Sequence, residues 1–203
     1  MDDDWTRSVI FKCDRIVDAI RENRGEIIVY SDVDIQFFGP VKESILKAMK
    51  NREVACQLDS PAGILCTGFF AVRANDATLA VWQEVRRRLE KEKRDQKAFN
   101  RILQKAPEIR FGHLPTQFFG PGTFLRQSWR KLDRFYIPLK PLMFHANWVV
   151  GVENKLLLHR RAREVVKTGR YGILANNLMC LAHAAFRDPR GVKRAILRRS
   201  NPS

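Results

Sequence analysis

Ile27-Ile28-Val29-Tyr30-Ser31-Asp32-Val33-Asp34-Ile35-Gln36-Phe37-Phe38 is the stretch that decides how this chain is read. Its first half is apolar and β-branched, which predicts a short buried strand over residues 26–30. The strand runs into two carboxylates two residues apart. In an extended segment such side chains point the same way. At the C-terminal end of a strand in an open α/β sheet, they stand where ligands bind. Two close carboxylates repel unless a cation lies between them. Oxygen donors suit Mg²⁺ or Mn²⁺, and such a cation can hold a diphosphate and neutralise charge on a departing nucleotide. Acidic residues at strand ends also act as caps and turn formers, so the pair gains meaning only from its surroundings.

Upstream, Ile10, Cys13, Ile16, Val17 and Ile20 recur at helical spacing, which predicts an amphipathic helix over 6–23, closed by Gly25. Downstream, Phe37-Phe38-Gly39-Pro40 predicts a turn. The pattern then gives a short helix over 41–50, strands at 54–58 and 64–73, and a helix from 76 to about 93 capped by Asn75 or Asp76. Another short helix starts near Asp95, and a strand is expected at 109–114. Residues 115–141 hold Pro115, Gly120, Pro121, Gly122, Pro138 and Pro141 and read mostly as loop. Residues 144–150 read as extended, and the remainder as helical and basic. Strands interleaved with helices predict an α/β domain with a largely parallel sheet. The string Gln-Phe-Phe-Gly-Pro occurs at 36–40 and at 117–121, but its surroundings differ and no repeat is read from it.

The chain has 203 residues, 45% of them hydrophobic, enough for one domain with a sizeable core. Its 37 Lys and Arg against 22 Asp and Glu give a formal charge of +15, so polyanions are the expected partners. Much of the excess lies between Arg160 and Arg199, where the only acids are Glu164 and Asp188. That stretch reads as a solvated basic face or as a contact for an acidic membrane. It has few aromatics, so nucleic acid is not the expected partner. The four cysteines, at 13, 56, 66 and 180, match no zinc spacing. Free thiols in a reducing compartment are expected, with a Cys56–Cys66 bridge left open. The acidic start Met1-Asp2-Asp3-Asp4 lacks the features of a secretory signal. A cytoplasmic protein is expected, with peripheral membrane contact through the basic tail.

Three further groups carry chemistry. His145, followed by Asn147, Gly151 and Lys155, offers an imidazole able to complete a shell begun by two aspartates, a glycine that lets backbone approach phosphate, and a cation for phosphate oxygens. Taken singly, His145 reads as a hydrogen-bonded core histidine and Lys155 as a surface lysine. Asp95 and Gln96 open a helix, where Asp95 can be an N-cap or can meet sugar or acceptor hydroxyls. Thr67-Gly68, inside an apolar strand, marks a close approach or a tight packing contact.

Together, in this order, the segments 27–38 (IIVYSDVDIQFF), 66–73 (CTGFFAVR), 95–100 (DQKAFN) and 144–155 (FHANWVVGVENK) resemble the nucleotide-diphospho-sugar transferase family, a group of GT-A glycosyltransferases. The resemblance spans about residues 10–160 and implies a GT-A-like, Rossmann-like domain over 1–160 with a basic, mostly helical extension over 161–203. It implies that Asp32, Asp34 and His145 hold a divalent metal, Mn²⁺ or Mg²⁺. Ser31, Asp32, Thr67, Gly68, Asn147, Gly151 and Lys155 would lie along a UDP- or GDP-sugar. Asp95 and Gln96 would lie at the transferred sugar and a carbohydrate, glycan or other hydroxyl acceptor. Related enzymes with such a histidine segment often retain anomeric configuration, so retention is expected. In the family a nucleotide-binding βαβ portion precedes the Asp-x-Asp strand. Here one helix precedes it, so the domain is expected to be N-terminally incomplete. Two readings compete with the enzyme: a non-catalytic remnant of the fold, and a basic polyanion- or membrane-binding protein.

Overall fold

The structure, a computed structural model, describes residues 3–124 and 135–187. Part of the predicted 115–141 loop and the end of the basic extension, 188–203, lie outside the described residues. The described chain folds into two compact units. The first comprises 1–32, 42–57 and 65–115; the second comprises 33–41, 58–64 and 116–203.

The first unit holds a four-stranded sheet in the order β1 (Ile27–Ser31), β4 (Leu65–Arg73), β3 (Val54–Leu58), β5 (Phe111–His113). β1 runs antiparallel to β4, while β3 and β5 are parallel. The helices of this unit are α1 (Asp3–Glu22), α2 (Lys42–Met49), α3 (Asp76–Glu92) and α4 (Asp95–Leu103). α3 begins on a capping box between Asn75 and Thr78, so of the two predicted caps it is Asn75 that closes the helix start. The core joins Cys13, Ile16 and Ile20 of α1 to Phe70 of β4, Trp82 and Leu89 of α3 and Phe99 of α4. Tyr30, Phe70, Trp82 and Phe99 form a continuous aromatic column, with successive centroids 5.4, 4.9 and 4.8 Å apart. Each such pair contributes about 0.5–1.5 kcal/mol beyond area burial.

β1 differs from its prediction. It is the edge strand of the sheet, with Val29 exposed and Ile28 and Tyr30 turned onto the core. Its apolar run reflects one buried face rather than two.

The second unit holds a three-stranded sheet in the order β2 (Ile35–Phe37), β7 (Met143–His145), β6 (Phe118–Phe119). β2 is antiparallel and β6 parallel to β7. Both copies of Gln-Phe-Phe-Gly-Pro therefore border the same strand, one on each side, in opposite directions. This unit also contains α5 (Val152–Lys167) and α6 (Gly169–Arg187). Its core gathers Phe119, Phe135, Phe144, Leu158 and Ile173. Asn177 of α6, buried, clamps Ile137: the Ile137 N–H donates to its Oδ1 at 2.9 Å, and its Nδ2 donates to the Ile137 carbonyl at 2.7 Å. All four cysteines are buried and none forms a disulfide, so the Cys56–Cys66 bridge is not made. The fold is mixed α/β with a parallel and an antiparallel pair in each sheet, in place of one largely parallel sheet, and is consistent with a GT-A-like, Rossmann-type domain.

Candidate active site

Asp32 follows directly on the end of β1, and Asp34 directly precedes β2. The two residues lie in a bend where the chain leaves one sheet and enters the other, instead of in the extended segment the sequence suggests. The Asp32 N–H donates to the Gly68 carbonyl at 2.7 Å, and the Asp34 carbonyl accepts from the Ala146 N–H at 3.0 Å. Backbone bonds thus fix each aspartate against a different strand.

In the first unit the aromatic column ends at Tyr30, whose hydroxyl donates to Asp32 Oδ1 at 2.8 Å. Lys12 of α1 reaches the same carboxylate, with Nζ 3.4 Å from Asp32 Oδ1 and 3.0 Å from Asp95 Oδ2. Its ammonium also lies 4.9 Å from the Tyr30 ring centroid. Burial disfavours a charged lysine, but the Asp95 and Asp32 carboxylates outweigh it and hold Lys12 above its ordinary pKa. Burial also raises the Tyr30 hydroxyl above its usual range, so it stays a donor.

Asp95 is not an N-cap. It is the first residue of α4, Arg94 occupies the cap, and the buried Asp95 carboxylate turns inward. Thr67 Oγ1 donates to Asp95 Oδ2 at 2.9 Å, and the Thr67 N–H meets Gln96 Oε1 at 3.4 Å. One turn on, Asn100 makes two bonds with the Leu65 backbone, at 2.9 and 2.8 Å. The DQKAFN segment therefore fastens α4 to β4 and delivers Asp95 to Lys12. Ser31, at the exposed end of β1, hydrogen-bonds the Asp32 carbonyl.

In the second unit Asp34 Oδ1 lies 3.2 Å from His145 Nε2, and Asp34 Oδ2 lies 2.7 Å from Lys155 Nζ. His145, on β7, is buried between the buried Phe144 and Ala146. Burial would raise the Asp34 carboxyl, but hydrogen bonds and charge from His145 and then Lys155 hold it well below the ordinary carboxylate range. Lys155 stands in the first turn of α5, whose N-cap Gly151 adopts φ +91°, a conformation that favours glycine. Two residues past His145, the Asn147 Nδ2 and the Trp148 indole N–H both donate to Asp59 Oδ1, at 2.8 and 3.0 Å.

Among the described residues, one ligand atom each from Asp32, Asp34 and His145 lies within 4.8 Å of the others. Two carboxylates and an imidazole fit Mn²⁺ or Mg²⁺ in donor chemistry. Residues 7–158 match the family model of the nucleotide-diphospho-sugar transferases. The chain belongs to this family. Comparison with curated proteins and with solved structures finds no match. As a nucleotide-diphospho-sugar transferase, the chain is assigned to glycosyl transfer, with a nucleotide-sugar donor and an acceptor in general terms.

Sequence reasoning overlooked Lys12, Tyr30 and His159. Lys12 left a trace: it falls between Val9 and Ile16, on the apolar stripe of α1 where a cation needs a partner. His159 sits one turn beyond Lys155, hydrogen-bonded to the Asp34 backbone and edge-on to Phe144; burial pulls its pKa below the usual histidine value.

Proposed function

We propose that this nucleotide-diphospho-sugar transferase is a divalent-cation-dependent glycosyltransferase that moves a sugar from a UDP- or GDP-sugar to a hydroxyl acceptor. The observation that carries the reading is the convergence of Asp32, Asp34 and His145. These three residues would hold Mn²⁺ or Mg²⁺, which would supply charge neutralisation for the departing nucleoside diphosphate. The chain's own work is placement. Tyr30 and Lys12 hold Asp32 in position. His145 orients Asp34, and Lys155 brings a positive charge to the same carboxylate. In this reading Asp95, positioned by Thr67 and Lys12, and Gln96 beside it lie near the transferred sugar and the acceptor. Retention of anomeric configuration follows the resemblance of the His145 segment.

A screen of nucleotide-sugars for Mn²⁺-dependent hydrolysis or transfer tests this reading. Activity that survives both Asp34→Ala and excess chelator would refute it, and proton NMR of the first-formed product decides between retention and inversion. A second reading rests on a specific observation: Lys12 and Lys155 already place an ammonium against each aspartate of the pair. A fold remnant neutralised by its own lysines would give no heat on titration with Mn²⁺ and UDP while remaining folded.

A further inference from the structure

Beyond the family match, which ends at residue 158, α6 has a face that core packing leaves uncovered. Its inward stripe is Ile173, Asn177 and Cys180, all buried. At the same helical spacing on the other side stand Tyr171, Leu174 and Leu178, which are 86%, 39% and 68% exposed, with Met179 beside them. No Asp, Glu, Lys or Arg occurs between Arg170 and Arg187, so nothing charged interrupts that outer face. A helix facing water normally carries charged residues there. α6 is also not a membrane span: no described helix is long and apolar enough to cross a bilayer.

The neighbouring helix indicates what covers it. α5 exposes Leu156 and Leu157 together with Arg160, Arg163 and Lys167, and the exposed Arg170 opens α6. From Val152 to Arg187 there are seven Lys and Arg, at 155, 160, 161, 163, 167, 170 and 187, against two acids, Glu153 and Glu164. Apolar residues that sink to the acyl boundary, combined with cations that meet lipid phosphates, are the composition of an interfacial helix. We infer that α6, with the basic residues of α5, docks on an anionic membrane surface with Tyr171, Leu174 and Leu178 inserted. The inference is independent of the Asp32–Asp34 chemistry.

The test is sedimentation of the full chain with vesicles of phosphatidylcholine, alone or with about a third phosphatidylserine, an anionic lipid that recruits basic segments. Binding at least about ten-fold tighter to the anionic vesicles is expected, weakening as salt is raised. Leu174→Glu with Leu178→Glu should remove it. Because both side chains are exposed, the circular dichroism of that variant should match the parent. Arg160→Glu with Arg163→Glu should weaken binding several-fold without touching the apolar face. Equal binding to neutral vesicles would overturn the proposal, as would undiminished binding by the leucine variant. So would the absence of vesicle binding alongside a dimer, seen by light scattering, that the leucine variant dissolves, because the face would then belong to a second copy.

Discussion

Replacing Lys12 by Met tests the reasoning about the first unit most directly. The side chains have similar length, so packing against α1 and Tyr30 is largely kept while the charge is lost. Lys12 and Asp95 are 13% and 11% exposed and 3.0 Å apart, with Asp32 the second partner at 3.4 Å. Removing one member of a buried ion pair leaves the other uncompensated and typically costs about 3–5 kcal/mol. Thr67 still donates to Asp95 and Tyr30 to Asp32, so the lower end, about 3 kcal/mol, is expected. For a chain of this size that lowers Tm by about 6–12 °C. The folded-state pKa of Lys12 is raised, so its contribution is full below the ordinary lysine value and is lost as pH rises through the higher folded one. The gap between parent and variant should therefore stay constant from about pH 6 to 9 and narrow only in strong alkali. A double-mutant cycle with Asp95→Asn should return a coupling of about 1–3 kcal/mol. Urea melts of the four proteins measure it. Additive effects, or a Lys12→Met variant as stable as the parent, would show that the pair does not hold α1 to α4.

Three further outcomes are expected. Asp34→Asn should weaken Mn²⁺ binding, read by electron paramagnetic resonance, at least about ten-fold. Because the Asp34 pKa is lowered in the fold, the stability it contributes is present above about pH 4 and lost as pH falls further, so parent and variant should converge in acid. Gly122→Ala places a Cβ 2.6 Å from Trp148 Cε2, and the indole must move; a stability loss of about 1–3 kcal/mol and a shifted tryptophan emission are expected. Asn177→Ala strands the Ile137 N–H and carbonyl and should cost about 2–4 kcal/mol in denaturant melts.

Much of the fold was legible because local signals agreed with it. The apolar run 64–73, the Asn75 cap and the helical spacing along α1 each correspond to an element in place. The edge position of β1 was not legible, since an apolar run does not say whether one face or two are covered. Asp95 was ambiguous for a similar reason: an aspartate opening a helix has the same local sequence whether it caps the helix or turns inward. Only the distant Lys12 and Thr67 settle its direction. The two Gln-Phe-Phe-Gly-Pro strings carried a signal that could not be decoded from one dimension, because their shared neighbour, β7, is a third segment.

The central place of β7 between β2 and β6 has a consequence for biogenesis. Ile35 pairs with His145, about 110 residues further along the chain. A ribosome will have made Asp34 long before the strand that carries its imidazole neighbour, and contacts between such distant segments form late because loop closure must precede them. The group of Asp34 and His145 is then among the last parts of the molecule to assemble, and a nascent chain arrested before residue 143 would carry its acidic pair without the histidine beside it.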